Sequence, residues 1–288
     1  MLKPTGLTSH DAVAFVRRLA GAKAGHAGTL DPAASGVLVI CIGKGARLAS
    51  FVADAEKEYD AAITFGAATD SLDAQGKVTA TADAAGLTRA ALCEVLPEFV
   101  GEIRQRPPAF SALKVRGRRA YEMARRGLEV DLKERTVSVS ELRLVSMQPG
   151  DAAVAVVHVR CGKGFYVRSL ARDLGERLGL PAHLSSLVRT RVGVFAIDES
   201  ISLPEAERAA SEGRLQEIML PLDAPLSRLP KVLLARQEAD LVRHGASVEW
   251  RERVAAGLVR AYDEQGRLIA LAKTDGDGRL SPSIVLAD

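Results

Sequence analysis

GHAGTLDPAASG, residues 25–36, is a turn-rich stretch with a single carboxylate, that of Asp31. Gly28 and Pro32 stand close to this carboxylate, and the apolar run Val37–Ile42 follows the stretch directly. Turn-forming residues before a short β-branched run predict a loop that leads into a buried strand. An Asp before a Pro commonly binds its own backbone in a turn, so the stretch alone leaves a catalytic role for Asp31 open.

Helical and strand patterns follow one another on both sides of this loop. Helices are predicted over residues 9–20, 46–53, 88–96, 121–126, 166–178 and 237–244, and strands over 37–42, 59–65, 136–147, 152–161, 191–197, 257–262, 268–273 and 283–286. Residues 67–77 read as a loop. Pro221, Pro225 and Pro230 mark a domain boundary. The last stretch, about 60 residues long, is predicted to be a small β module.

The composition fits a chain that buries a large core without a metal or a disulfide. The 288 residues are 47% hydrophobic, which suffices for one large domain or a domain with a small module. The three cysteines and five histidines show neither disulfide nor metal-ligand spacing. No apolar run approaches the roughly 18 residues of a membrane span, and the chain does not start with a signal-like segment. We therefore expect a reduced, cytoplasmic protein without membrane or metal.

Positive charge is concentrated in residues 104–135. This segment carries ten Lys and Arg side chains against four Asp and Glu, a net charge of +6, while the whole chain has a net charge of +3. Such a local surplus is typical of a polyanion partner such as RNA, although a solvated surface would look the same. Phe110 and Tyr121 lie among these cations, where they could stack on bases or pack into the core.

Three further motifs combine polar side chains with a regular element. Lys57-Glu-Tyr59 lies at the start of a predicted strand. Leu187-Val-Arg-Thr-Arg-Val-Gly193 is a basic stretch that leads into another predicted strand. Gly162-Lys-Gly-Phe-Tyr-Val-Arg-Ser169 places Arg168 in the first turn of a predicted helix. Taken alone, Tyr59 is typical of a core residue and Arg168 of a surface residue. A functional role for either therefore depends on its combination with the Asp31 loop.

The combination resembles the TruB family of tRNA pseudouridine synthases. Six motifs occur in one order over roughly the first 195 residues: Lys3-Pro-Thr-Gly6 with Thr8-Ser-His10, GHAGTLDPAASGVL, KEY, RPPAFSALKVRGRRAYEMAR, GFYVRSLARDLG and LVRTRVG. Each motif alone would be weak, whereas their shared order is specific. Ser35 stands where the family has Thr, and it keeps the hydroxyl group.

The resemblance implies an α+β fold. A mixed catalytic domain, residues 1–228, would surround a curved, mainly antiparallel sheet, and residues 229–288 would form a PUA-like RNA-binding module. The implied activity isomerises uridine 55 in the T-arm loop of tRNA to pseudouridine by base flipping, with no cofactor and no metal. We expect a monomer. Family members carry several residues before the Lys-Pro pair, whereas only Met1 and Leu2 precede Lys3 here, so the usual first strand is expected to be shortened or absent.

The same resemblance assigns roles to single residues. Asp31 matches the catalytic aspartate, as nucleophile or as base, and a carboxylate is suited to either role at a sugar carbon. Arg168 matches the arginine that pairs with that aspartate. Tyr59 matches the catalytic tyrosine that packs against the target uracil and is expected to help move the C5 proton.

Further positions match substrate-binding residues of the family. His26 matches a histidine inserted near the position that the flipped base leaves. Leu187 matches a leucine that lines the uracil pocket, and Gly28 belongs to the same motif as His26 and is expected to bind substrate. Lys3 and the basic segment are expected to contact phosphates. Within the segment the expected RNA-backbone contacts are Lys114, Arg118, Arg119 and Arg126.

Two functions of other classes compete with a synthase. A nucleotide-cofactor enzyme would use Val37–Ile42 and the glycines of Gly43-Lys-Gly45, but Leu48 occupies the third glycine position. A tRNA-folding chaperone would use the basic segment and the tail module without chemistry. Such a binder has no use for a charge-paired aspartate in a closed pocket, so Asp31, Tyr59 and Arg168 distinguish the two.

Overall fold

Helices and strands are both abundant in the structure, a computed structural model that describes residues 1–111, 113–115, 117–128, 130, 132–250 and 255–286. For Lys114, Val115, Arg119 and Arg125 it describes the backbone alone. The α-helices are α1 (Ser9–Ala20), α2 (Ala49–Asp54), α3 (Arg89–Val95), α4 (Ala120–Arg125), α5 (Val167–Leu178), α6 (Leu203–Ser211) and α7 (Arg236–Arg243). Short 3-10 helices span Gly43–Leu48, Leu96–Phe99, Leu215–Ile218 and Ala224–Leu226.

The strands form two main sheets and three short pairs. They are β1 (Leu2–Lys3), β2 (Ala24–His26), β3 (Ser35–Val37), β4 (Ile40–Ile42), β5 (Lys57–Phe65), β6 (Ala67–Thr69), β7 (Val78–Thr81), β8 (Gly101–Gln105), β9 (Lys114–Val115), β10 (Arg118–Arg119), β11 (Arg135–Gln148), β12 (Val154–Cys161), β13 (Ala182–Val192), β14 (Phe195–Ala196), β15 (Lys231–Leu233), β16 (Val248–Glu249), β17 (Gly257–Tyr262), β18 (Leu268–Thr274) and β19 (Arg279–Val285).

The larger sheet has eight strands in the order β1-β3-β13-β5-β12-β11-β8, with β14 paired to β13. All of its pairs are antiparallel except β13 with β3. The predicted α+β fold around a mainly antiparallel sheet is therefore confirmed. Burial alternates strictly along β5, so one face of this strand packs into the core and the other is more open. Its core face, which includes Tyr59, lies over α5 and α3.

Local sequence explains where the main helices begin and end. Thr8 and Asp11 form a reciprocal capping box at the start of α1, and Gly21 ends the helix in the left-handed conformation. Gly179 ends α5 in the same way. Arg168 lies in the first turn of α5 and is buried.

The apolar run Val37–Ile42 is not one strand. Ser35–Val37 pairs with β1 and β13 in the larger sheet, whereas Ile40–Ile42 pairs with β2. Leu38, between them, donates its N–H to the carbonyl of Met1 at 2.9 Å. An apolar run shows burial but not the partner strand, so the break was not predictable. The first strand is present but only two residues long.

The smaller sheet lies in the tail of the chain. Its five strands run in the order β15-β17-β18-β19-β16, and α7 packs on it around a separate apolar cluster. A third cluster, formed by Leu48, Leu226, Leu271 and Leu286, joins this sheet to the 3-10 helix at Gly43–Leu48. Nearby, Arg47 Nη1 donates to the carbonyl of Val285 at 2.9 Å. The two parts of the chain are therefore held by both apolar and polar contacts.

Candidate active site

The loop between β2 and β3 carries Asp31 and is held from several sides. Ser9 Oγ donates to the carbonyl of Leu30 at 2.9 Å and accepts the Leu30 N–H at 2.8 Å. The N–H of Gly6 donates to the carbonyl of Pro32 at 2.8 Å, and the Ala34 N–H donates to the carbonyl of Asp31 at 3.0 Å. These bonds fix the backbone on both sides of the carboxylate.

Arg168 lies against the carboxylate of Asp31. The first turn of α5 places the Arg168 guanidinium in the interior, where its side chain is 8% exposed, and Nη2 lies 3.0 Å from Asp31 Oδ2. The Asp31 side chain is 41% exposed, and its Oδ1 makes no bond to any residue that the structure describes. The ion pair thus holds one carboxylate oxygen, while the side chain of Asp31 remains partly exposed.

The same guanidinium connects three further groups. Nη1 lies 3.5 Å from Asp73 Oδ2 and donates to the carbonyl of Ser71 at 3.2 Å. Nη2 donates to the carbonyl of Phe110 at 2.9 Å. Asp73 was missed by the sequence analysis because its Asp- and Gly-rich surroundings read only as a loop. Phe110 belongs to the basic segment, so Arg168 brings the start of that segment to the Asp31 loop.

Tyr59 and Leu187 lie on neighbouring strands beside this loop. Both side chains are 9% exposed and share the apolar cluster that contains Leu30. Burial raises the pKa of Tyr59, and the neighbouring Arg189 opposes that rise through its charge and a hydrogen bond. The phenol is therefore protonated at neutral pH. Together the two side chains form an apolar wall next to the carboxylate of Asp31.

Arg189 is a second residue whose position the sequence analysis missed. It lies on β13 two residues after Leu187, is 1% exposed, and donates to the backbone carbonyls of the Asp31 loop. Gly28 supplies one of these carbonyls and has φ +104, a conformation that favours glycine. The motif LVRTRVG was noted as basic, but strand position alone could not show which arginine points inward.

Lys3 requires a correction. Its side chain is completely buried, and Nζ donates to the carbonyls of Pro4 at 2.8 Å, Leu7 at 2.7 Å and Pro32 at 3.5 Å. An ammonium group in this position cannot reach a phosphate, so the expected phosphate contact is not supported. Burial lowers the pKa of Lys3, and the charge of Asp31 partly offsets this. Lys3 instead ties the N-terminal segment to the Asp31 loop.

His26 is half-buried at the end of β2, before the loop begins. Its ring packs edge-on against the ring of His10, with 5.6 Å between the ring centres. Its Nδ1 is buried without a hydrogen-bond partner among the described residues. Burial lowers the pKa of His26, with smaller contributions of the same sign from His10 and Arg189. A neutral imidazole therefore stands beside the site.

The basic segment extends from the larger sheet between β8 and β11. Its start is anchored by α5, because Ser169 Oγ and Arg172 Nη2 both donate to the carbonyl of Arg106, at 2.8 Å and 3.0 Å. Beyond the anchor, β9 pairs with β10 and α4 follows. Arg118 and Arg126 are exposed. The side chains of Lys114 and Arg119 lie outside the described part of the chain, as does Arg116.

Neither a metal site nor a membrane span is visible in the described ranges. Among those residues, no three or more His, Cys, Asp or Glu side chains cluster in a way that could hold a metal ion. The helices that the structure describes are all too short or too polar to cross a lipid bilayer.

Comparison with solved structures gives the class of protein. The chain superposes with a TM-score of 0.74 on a chain of a Cbf5–Nop10–Gar1 complex, at 26% identity and covering 99% of this chain and 83% of that one. It matches a chain of an H/ACA RNP bound to a substrate RNA containing 2'-deoxyuridine equally well, at 25% identity over 100% and 84% of the two chains. The fold, with its C-terminal β-rich module, is that of a pseudouridine synthase.

Sequence comparison narrows the class to a family. Residues 17–167 match the N-terminal domain of TruB family pseudouridylate synthase, and 168–227 and 230–286 match two TruB C-terminal domains. The tRNA pseudouridine synthase B of Symbiobacterium thermophilum is 49% identical over 86% of this chain and 81% of its own. That of Dechloromonas aromatica is 42% identical over 99% and 94%. The chain belongs to the TruB family, and it acts as an isomerase that forms pseudouridine in tRNA.

Proposed function

We propose that the chain converts uridine 55 in the T-arm loop of tRNA to pseudouridine, with Asp31 as the catalytic carboxylate. The observation that carries this proposal is the geometry of Asp31. A buried arginine holds one of its oxygens at 3.0 Å while the other remains open. A turn aspartate that only binds its own backbone needs no such partner, whereas a carboxylate that must be held in one orientation for catalysis does.

The reaction needs the target base outside the helical stack. The uridine flips out of the T-loop and enters the space between Asp31 and the wall formed by Tyr59 and Leu187. The bond from N1 to C1′ breaks, the uracil turns, and C5 joins C1′. The C5 proton leaves and N1 gains a proton, so the product has the composition of the substrate. Asp31 acts at the sugar while the apolar wall holds the detached uracil.

Side chains around the site then recognise the RNA. His26 contacts the T-loop near the position that the base vacates, and a neutral ring suits a stacking contact there. The exposed cations of the basic segment, including Arg118 and Arg126, neutralise phosphates. The presence of a substrate RNA in the complex of one structural neighbour supports an RNA-binding role for this fold.

Residues 1–228 would then form the catalytic domain and 229–288 an RNA-binding module. We further place the enzyme in the cytoplasm, where tRNA is modified, and assign it a monomeric state. Light scattering of the protein during size-exclusion chromatography tests the last point, since a mass near twice 30.6 kDa would contradict it.

The experiment that tests the proposal maps the modified position. A T-arm stem-loop is incubated with the protein, and pseudouridine is located by nuclease digestion and mass spectrometry. We expect one pseudouridine, at position 55, and none in a stem-loop with cytidine at that position. Pseudouridine at other uridines of the cytidine control would contradict the assigned substrate position.

A further inference from the structure

Arg189 lies on β13 of the larger sheet, between β3, which follows the Asp31 loop, and β5, which carries Tyr59. On one side it is opposite Gly36 of β3, which ends the Asp31 loop, and on the other it is opposite Tyr59 of β5. Among the side chains that the structure describes, it is the largest that is almost completely buried. Arg189 is therefore the single residue that lies between the end of the Asp31 loop and Tyr59 in the sheet.

The guanidinium of Arg189 spans the Asp31 loop from end to end. Nε donates to the carbonyl of Val37 at 2.7 Å, Nη1 to that of Thr29 at 3.2 Å, and Nη2 to that of Gly28 at 3.2 Å. Thr29 and Gly28 precede Asp31 and Val37 follows it. Since the fork of donors in a guanidinium is rigid, the three bonds fix the separation of the two ends of the loop.

On its other side Arg189 faces the Tyr59 hydroxyl. Directly opposite residues on adjacent antiparallel strands bring their side chains together on one face of the sheet. Arg189 is directly opposite Tyr59 in the register of the two strands, and the charge of its guanidinium opposes the rise in the Tyr59 pKa that burial causes. Arg189 thus contacts the loop that holds the carboxylate and the phenol that faces it.

Within the described part of the chain, Arg189 makes no ion pair. Buried arginines are normally paired with a carboxylate, and Arg168 follows this rule with Asp31 and Asp73. Among the ion pairs of the described residues none involves Arg189, whose partners are backbone carbonyls. Burying a guanidinium whose partners are backbone carbonyls costs free energy. A need to hold the Asp31 loop in a fixed geometry explains this arrangement best.

We propose that Arg189 is a positioning residue that couples the Asp31 loop to Tyr59 and so sets the distance between carboxylate and phenol across the uracil pocket. This inference rests on the proposed function. Arg189 makes and breaks no covalent bond. During the reaction the uracil turns between these two groups, and a displacement of about 1 Å in such a site can cost about 10²-fold in rate.

Arg189→Lys tests the coupling, because it keeps the charge and removes the fork. The matched control is Arg191→Lys on the same strand, whose side chain is partly exposed and lies 3.5 Å from Glu58. Tritium release from uracil-C5-labelled T-arm RNA is measured with enzyme in excess, and RNA affinity is measured separately. We expect Arg189→Lys to slow the chemical step by about 10- to 100-fold with an RNA Kd within about threefold of wild type. Arg191→Lys should match wild type in both.

A second measurement needs neither RNA nor activity. Tyr59→Phe removes one oxygen, and hydrogen exchange is followed by mass spectrometry in peptides covering residues 27–38. If the hydroxyl anchors Arg189, exchange in the Asp31 loop rises at least about twofold although the substitution lies on another strand. Hydrogen exchange in the Tyr59→Phe variant tests the coupling even if the Arg189→Lys variant does not fold.

The outcomes separate the inference from the proposed function. Absence of tritium release by the wild type would refute the function, while the exchange experiment would still report on the coupling. An active wild type with an equally fast Arg189→Lys variant would overturn the coupling alone. Unchanged exchange in the Asp31 loop of Tyr59→Phe would overturn it as well, and so would a Kd that weakens as much as the rate.

Discussion

Arg168 is a single side chain that contacts three separate segments of the chain. It contacts Asp31, Asp73 and the carbonyls of Ser71 and Phe110. A lysine has one nitrogen and cannot satisfy this planar arrangement. The guanidinium therefore both orients the proposed catalytic carboxylate and ties it to the start of the basic segment.

Arg168→Lys is accordingly predicted to slow pseudouridine formation by about 10²-fold, the size of effect expected when one oriented electrostatic partner is lost. RNA affinity should change by less than about threefold, because the substitution disturbs the carboxylate of Asp31 and leaves the phosphate contacts in place. Single-turnover tritium release and filter binding measure the two quantities. Arg177→Lys, on the exposed last turn of α5 and paired with Glu98, is the control and should retain full rate. Equal loss of rate in both variants would contradict the role of Arg168.

His26 gives a prediction about pH. Burial lowers its pKa from 6.5, and the two charged or titratable groups that face it, His10 and Arg189, act in the same direction. The unfolded chain therefore takes up the proton first as pH falls below about 6.5, and the folded state loses stability in that range. His26→Gln cannot titrate, so its Tm should fall less than that of wild type between about pH 7.5 and about pH 5.5. Parallel pH curves for the two proteins would refute the assignment.

At the residue scale, sequence and structure agree in part. The motifs predicted that Arg168 pairs with Asp31, and the two lie at 3.0 Å. The prediction that they are close came from the resemblance to the family, since Asp31 and Arg168 are far apart in the chain. Asp73, Arg189 and the burial of Lys3 could not be predicted, because each depends on which strands and loops meet in space. A buried lysine bonded to three carbonyls looks like any surface lysine in the sequence.

At the scale of elements, the loop between β2 and β3 is rigid because it packs directly on β13. A Cβ on Gly36 would lie 2.2 Å from the Arg189 carbonyl oxygen and 2.7 Å from the Arg189 nitrogen, and Gly36 has φ +111. Both the close approach and the backbone conformation require glycine at this position.

Gly36→Ala is predicted to lower the free energy of unfolding by more than about 3 kcal/mol, because β3 and β13 must separate to admit the methyl group. Gly6→Ala serves as the control, since Gly6 has a similar φ of +88 but no atom within 4 Å of its added Cβ. It should cost only the backbone strain, about 1–2 kcal/mol. Urea unfolding followed by circular dichroism gives both values. Equal losses in the two variants would mean that β13 does not confine the loop.

The order of elements was easier to predict than their pairing. Capping residues and periodicity placed α1, α5 and α7 close to their observed bounds. The run Val37–Ile42 was expected as one strand and is two, in different sheets. Residues 67–77 were expected as a loop, but they begin with the strand Ala67–Thr69, whose partner is Val78–Thr81. Short strands carry little periodic signal, so tertiary pairing determines them.

At the scale of the whole molecule, positive charge is distributed unevenly along the chain. Residues 104–135 carry a net charge of +6 in a chain with a total of +3, and Arg172 and Ser169 anchor the start of this segment beside the site. The proposed phosphate contacts of this segment would release counterions, so the affinity for RNA is predicted to depend on salt.

The Kd for tRNA is predicted to weaken by at least about tenfold between about 50 and about 200 mM monovalent salt. Fluorescence anisotropy of a labelled T-arm stem-loop measures the slope. Arg118→Ala, which removes one exposed cation, should lower that slope by roughly one phosphate contact, a change of about 0.7–0.9. A salt-independent Kd would exclude the basic segment from the RNA-binding surface.

The most direct test of the account is tritium release from uracil-C5-labelled T-arm RNA by the wild-type protein and by Asp31→Asn, with RNA binding measured alongside. Replacement of the C5 hydrogen is obligatory in pseudouridine formation, so the assay reports chemistry. We predict stoichiometric release by wild type and none by Asp31→Asn, which should still bind the RNA because the amide removes only the charge and not the loop. Release by Asp31→Asn at a rate near that of wild type would contradict a catalytic role for this carboxylate. A wild type that binds RNA but releases no tritium would contradict the assigned reaction itself.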